Sequence, residues 1–229
     1  GATATGTGNG SFSISVNPVI STLYTIVSLV DENCSALPGG LTGSTFVTVN
    51  EPVNITTQPA SSQTICSSFP VSFSVAATGT GLNYQWYLGA TPLTDNANIS
   101  GSNTAVLNIA QAALADAGTY RVEISATAPC SAVFSDDAVL TVIQDIEIIN
   151  QPVTEVKCAG ATASFTVNAS GAGLSYQWRR GAATLTDGGR ISGANTATLV
   201  ITNVNAGDAA TNYNVVISGA GGICPQSIS

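Results

Sequence analysis

The chain has 229 residues, a formal charge of −8 and no His, and only 8% of its residues are charged. That length suits two or more modules of about 100 residues, and no apolar run approaches the roughly 18 residues needed to cross a bilayer, so no membrane span is read. With no basic residue before Arg121 there is no cationic face for phosphates, which argues against nucleic acid, and the lack of His removes the commonest general base and metal ligand.

Residues 1–51 begin with Gly and lack the basic and apolar regions of a signal peptide, so a processed chain or a fragment is expected. Tyr24-Thr25-Ile26, Cys34 and Phe46-Val47-Thr48-Val49 mimic the last part of the repeat found downstream, so residues 1–51 read as the C-terminal part of a module, here module one. Module two, residues 52–144, opens with Gln58-Pro59 and Cys66. Alternating Val71, Phe73 and Val75 follow, then Tyr84-Gln85-Trp86, Ile99-Ser100-Gly101, Ala105, Leu107 and Ile109, Asp116, and finally Tyr120, Val122 and Ile124 before Cys130. A period of two marks half-buried strands. Glycine-rich and Asx-rich breaks separate them, and no amphipathic helix can be drawn. The fold class is all-β.

Module three, residues 145–229, repeats the series at a near-constant spacing of about ninety residues. Gln151-Pro152, Cys158, Tyr176-Gln177-Trp178, Ile191-Ser192-Gly193, Asp208, Tyr213 and Cys224 stand in order. Little sequence follows Cys224, so the last strand of this module is expected to be missing or incomplete. The junction from Val142 to Asn150 contains no Gly and reads as a stiff, partly buried connection.

These residues resemble the immunoglobulin I-set or V-set pattern: Trp86 after Val75, then Leu107-x-Ile109 ahead of Asp116-Ala117-Gly118-Thr119-Tyr120. The resemblance implies tandem immunoglobulin-like β-sandwich modules. It places Trp86 and Trp178 in the core, on the strand family members call C, and makes Tyr120 and Tyr213 tyrosine corners. It also implies an Arg190–Asp208 bridge in module three that module two, with Asn98 at the Arg position, lacks. One extra residue between Asp208 and Tyr213 departs from the pattern. The family's central cysteines are replaced by valine pairs, Val75 with Val122 and Val167 with Val215. Cysteines before the second strand and after the sixth resemble the Ig-like repeats of giant bacterial surface proteins exported by type IX secretion. That similarity implies an adhesin or surface filament.

Five well-spread cysteines fit an oxidising compartment. Pairing by parity joins Cys66 to Cys130 and Cys158 to Cys224, and leaves Cys34 to a residue upstream. Sandwich geometry opposes this, because the two cysteines of one module belong to opposite poles. The alternative joins Cys66 to Cys224 across the junction. The within-module pairing is adopted here, because a repeat with its own bridge folds without its neighbour.

No catalytic, cofactor-binding or metal-binding residue is assigned. Asp136-Asp137 and the stretch Asp95 to Asn98 lack the spaced ligand series of a calcium loop and read as turns. Asp145 and Glu147 sit at a junction without a cleft, and Arg179-Arg180 read as a solvated strand. The triplets at Asn9, Asn33, Asn54, Asn98 and Asn168 arise by chance in so Ser/Thr/Asn-rich a chain. The expected role is an extracellular or cell-surface stalk or filament whose partners are neighbouring modules of the same long chain. Exposed edge strands leave room for self-association or a surface ligand. The rivals are a glycan- or protein-binding adhesin module and the accessory domains of a secreted hydrolase.

Overall fold

The computed structural model describes residues 14–27 and 43–229. The expectations placed on Asn9, Asn33 and Cys34 lie outside the described residues. Among those described, structure is strand apart from three short 3-10 turns at Leu114–Asp116, Ala206–Asp208 and Ala220–Gly222. In module one, Thr22–Thr25 pairs antiparallel with Ser44–Val47.

Module two builds two main sheets and a small two-stranded one, Asn54–Thr57 with Ala76–Thr78. One main sheet has the order Val71–Ser74, Val106–Ile109, Ile99–Ser100, and the other runs Ser62–Cys66, Ala138–Ile143, Gly118–Ser125, Asn83–Leu88, Thr91–Pro92. Alternation drives the layering: Val71 and Phe73 point inward between exposed serines, and Ala138, Leu140 and Val142 do the same along their strand. Ser62–Cys66 lies parallel to the strand Ala138–Ile143, with Cys66 opposite Ile143.

Module three repeats this plan with Ala163–Thr166, Thr198–Ile201 and Ile191–Ser192 in one sheet, and Ala183–Thr184, Ser175–Arg180, Tyr213–Ser218 and Ser227–Ile228 in the other. Residues 151–158 form no strand, and Val153 and Val156 are 73% and 94% exposed.

The cores are near copies. Trp86 and Trp178 are fully buried, and each indole N–H donates to a backbone carbonyl, Thr104 O and Thr196 O, at 2.9 Å. Phe73 lies 6.2 Å from Trp86 and stacks on Tyr120 at 4.7 Å; Phe165 lies 6.3 Å from Trp178 and stacks on Tyr213 at 5.2 Å. All four valines at the family's cysteine positions are buried. Val167 and Val215 share one cluster with Trp178, Leu199, Ile201 and Ile217.

Two compact units divide the chain. One comprises Gly1–Asn54, Ala77–Asn83 and Ile124–Val133, the other Ile55–Ala76, Tyr84–Glu123 and Phe134–Ser229. The connection between modules two and three lies wholly inside the second, where no division falls.

Candidate functional site

The recurring motifs are explained by structural duties. In both modules the central glutamine of Tyr-Gln-Trp closes a hairpin: Gln85 Nε2 donates to Trp86 O at 2.9 Å and Leu93 O at 2.8 Å, and Gln177 Nε2 donates to Trp178 O at 2.9 Å and Leu185 O at 2.8 Å. Asn103 and Asn195 then donate to the glutamine carbonyls at 2.9 and 3.0 Å. The glycine of Ile-Ser-Gly has φ of 79° at Gly101 and 77° at Gly193. A β-carbon there would collide with the carbonyl oxygen of Val106 or Thr198, so no other residue fits. Sequence reasoning recognised these motifs as repeats and missed the glutamines and asparagines that make them. Their only signal was recurrence.

Tyr120 is buried, and its hydroxyl donates to Asp116 O at 2.6 Å. Burial first, then the charge of Asp116, pushes its pKa up to about 12. Tyr213 makes the same bond to Asp208 O at 3.0 Å across one more residue, so the insertion is absorbed without losing the corner. Arg190 grips Asp208 with two bonds, Nη1 to Oδ2 at 2.6 Å and Nη2 to Oδ1 at 3.0 Å, and donates to Asn203 O at 3.0 Å. The Arg190 bonds, then the Asn205 N–H, hold the Asp208 carboxyl down at about 2. In module two Asn98 keeps the backbone part of that role, donating to Gln111 O at 3.0 Å and accepting Gln111 N–H at 2.8 Å. Asp116 there accepts Ala113 N–H at 2.8 Å.

The acidic stretches serve turns. Asp95 accepts the N–H groups of Ser102 at 2.8 Å and Gly101 at 3.2 Å, and hydrogen bonds from Ser102 and then Gly101 lower its pKa. Asn96 Oδ1 accepts from Asn98 N and Ile99 N at 2.7 and 2.8 Å. Asp136 N–H donates to Gln58 Oε1 at 2.9 Å, which explains the Gln of Gln-Pro in module two. Arg180 donates to Ala209 O at 3.3 Å and lies 5.8 Å from the Tyr213 ring.

The cysteines require a correction. Cys66 is bonded to Cys224, with Cα atoms 5.4 Å apart, and Cys130 and Cys158 are free thiols. The within-module pairing therefore does not form. Cys66 ends a strand running parallel to Ala138–Ile143, so it arrives where that strand hands over to module three. Cys130 follows Gly118–Ser125, which runs antiparallel to the same strand and leaves from its other end. There the Cys130 thiol donates to Asn50 O at 3.6 Å. Cys224 Sγ instead lies 3.9 Å from Gln144 O, beside the handover.

The junction is held by burial, hydrogen bonds and the disulfide. Three residues, Gln144 to Ile146, separate Ala138–Ile143 from the strand Glu147–Asn150, which pairs with Asn168–Ser170. Val142 is buried in module two and Ile146 in the core of module three. The turn after Cys66 holds the connection twice more: Ser67 N–H donates to Ile143 O at 2.8 Å, and Asp145 N–H donates to Ser67 Oγ at 3.0 Å. Cys66, Asp145 and Cys224 place ligand-type atoms within 4.8 Å of one another, but the two sulfurs are spent on each other and offer no thiolate to a metal.

No family profile and no curated protein matches the chain. Solved structures do. A titin fragment of I-band domains I67–I69 matches at TM-score 0.61 and 17% identity, over 81% of this chain and 68% of that one. A three-domain variant of the same titin region gives 0.62 and 16%, over 81% of this chain and 66% of that one. The insect immune protein hemolin gives 0.58 at 13% identity, over 91% and 66%, and Sidekick-1 immunoglobulin domains 1–4 give 0.56 at 16%, over 88% and 55%. The chain thus spans two thirds or less of several structures it matches. The class these likenesses define is the tandem immunoglobulin-like β-sandwich. Within it, this chain is a variant that buries valine pairs at the usual cysteine positions and spends a disulfide between modules instead.

Proposed function

We propose that the chain is a structural repeat region, serial Ig-like modules forming an extracellular stalk or filament of a bacterial surface protein of the type IX-exported kind. The observation that carries this reading is the junction between modules two and three, closed by a disulfide, two hydrogen bonds and apolar residues buried on either side. A binding module needs a presented surface; a spacer needs modules that do not swing. The disulfide also favours an oxidising compartment. Small-angle scattering of the chain with and without reductant tests the spacer role: a narrow distribution of dimensions that broadens on reduction is the expected result. Identical, broad distributions would remove the reason for calling it a stalk. Labelling by a membrane-impermeant reagent on the cells that make the protein checks its surface location.

One observation favours the binding reading. Module two exposes Phe134 by 44%, with Tyr87 against its edge at 5.8 Å and the Arg121 guanidinium 4.5 Å above its ring. Arg121 and Asp137 line a shallow depression with Gly89, Ala90 and Thr119. A glycan array probed with the chain and with Phe134→Ala decides it: signal lost in the variant supports a sugar-binding face, and no signal with either leaves the spacer role alone.

A further inference from the structure

We infer that the Cys66–Cys224 bond is one rung of a repeating series, in which Cys158 takes the Cys224-type cysteine of an Ig-like module adjoining the far pole of module three, and Cys130 takes a Cys66-type cysteine of the module before. The inference stands on duplicated geometry and not on the stalk reading. Cys66 and Cys158 open the same turn: Phe69 N–H donates to Cys66 O at 3.4 Å, and Ala161 N–H to Cys158 O at 3.1 Å. The third residue of each turn is left-handed, Ser68 at φ 69° and Gly160 at φ 87°. Each turn is then fixed to the next loop in the same way, Ser68 N–H to Ala112 O at 2.7 Å and Gly160 N–H to Val204 O at 2.8 Å. The return bonds are Ala112 N–H to Phe69 O and Val204 N–H to Ala161 O, both at 2.9 Å. Cys158 therefore opens the same turn as Cys66, yet Cys66 is 2% exposed under its partner and Cys158 is open to solvent.

The receiving side is duplicated as well. Cys130 and Cys224 follow equivalent strands, and each sulfur faces the backbone carbonyl that precedes its module: Asn50 O at 3.6 Å for Cys130 and Gln144 O at 3.9 Å for Cys224. Thr127 N–H donates to Thr80 O as Ala220 N–H donates to Ala172 O, both at 2.8 Å. One cradle is filled and its copy holds a free thiol. The chemistry is thiol–disulfide exchange. The Cys158 thiolate attacks a disulfide-bearing oxidant, such as oxidised glutathione, and expels a thiolate that takes up the proton. The arriving cysteine then displaces the second half. The new S–S bond costs two thiols their protons and two electrons, and the oxidant leaves as two thiols.

The repeat register supplies the test. Ser227–Ile228 and Val133–Phe134 are equivalent edge strands, so residues 136–229 appended after Ser229 continue the chain in phase and present a second Cys224 to Cys158. After oxidation in a glutathione buffer, non-reducing peptide mapping should find Cys66 linked to the first Cys224 and Cys158 to the second. With Cys224→Ser in the added copy only, Cys158 should become fully alkylatable. The original Cys158, not that of the added copy, alkylated beside an intact Cys66–Cys224 bond in the extended chain overturns the inference. Should the extended chain fail to fold, peptide mapping of the protein taken from the cell surface decides instead: Cys158 joined to a cysteine after the sixth strand of another module upholds the series, and Cys158 free or joined to Cys130 ends it.

Discussion

Modules two and three share an interior and differ at their edges. Each buries a tryptophan whose N–H meets a threonine carbonyl, an aromatic stack and a tyrosine corner. Module two flanks its second sheet with the parallel strand Ser62–Cys66, whereas the matching residues 151–158 of module three form no strand. Module three in turn has the Arg190–Asp208 clamp that module two replaces with Asn98 and backbone. Two sandwiches of one design thus differ in how the loop ahead of the tyrosine corner is held, by Asn98 in module two and by the Arg190–Asp208 pair in module three.

If the interiors are equivalent, Trp86→Ala and Trp178→Ala should each cost about 3 to 5 kcal/mol, since each removes a fully buried indole. Denaturant titration measures both, and a near-neutral effect at either position would break the equivalence. Next in size, Cys66→Ser should cost about 2 to 4 kcal/mol in non-reducing denaturation and abolish the Cys66–Cys224 peptide. The two modules should then melt as separable transitions.

A smaller effect separates the two modules at that loop. The folded pKa of Asp208 is depressed to about 2 from 3.8, so its contribution is fully present above the unfolded value and is lost as pH falls from 3.8 toward about 2. Asp208→Asn should flatten the loss of stability in that acid window, as read by thermal melts at stepped pH. An unchanged acid profile would show that the Arg190 clamp braces nothing. Smallest of all, Ser67→Ala removes one hydrogen bond to the junction and should cost about 1 kcal/mol, with hydrogen exchange at the Asp145 amide as the local readout.

The strands were legible because their apolar residues alternate with period two, and the places of the tryptophans and tyrosine corners because the residues around them resemble the immunoglobulin pattern. Arg190 and Asp208 could be placed together only through the immunoglobulin resemblance, since the repeat itself carries Asn98 at the arginine position. Disulfide connectivity was legible as an alternative, because the pole argument already offered Cys66 with Cys224, but the parity pairing was preferred over it. Connectivity depends on which pole each cysteine reaches and on how closely the next module follows, and parity among five cysteines carries neither. The contact of Gln144 O with Cys224 and the Ser67 bonds arise only once the three-residue handover has brought two modules together. Nor did the extra residue before Tyr213 reveal whether its corner survives, because the slack is taken up in backbone.

The Cys66–Cys224 bond joins residues 158 positions apart. Tension applied to the two ends of the chain would therefore run down to Cys66, cross the sulfur–sulfur bond and leave through Cys224. Most of modules two and three would sit in a slack loop that carries no load. At about 3.3 to 3.6 Å per extended residue, that loop withholds on the order of 500 Å of contour length. A pull strong enough to unfold an ordinary string of domains would find only the residues outside that loop to extend, and reducing one bond would release the rest.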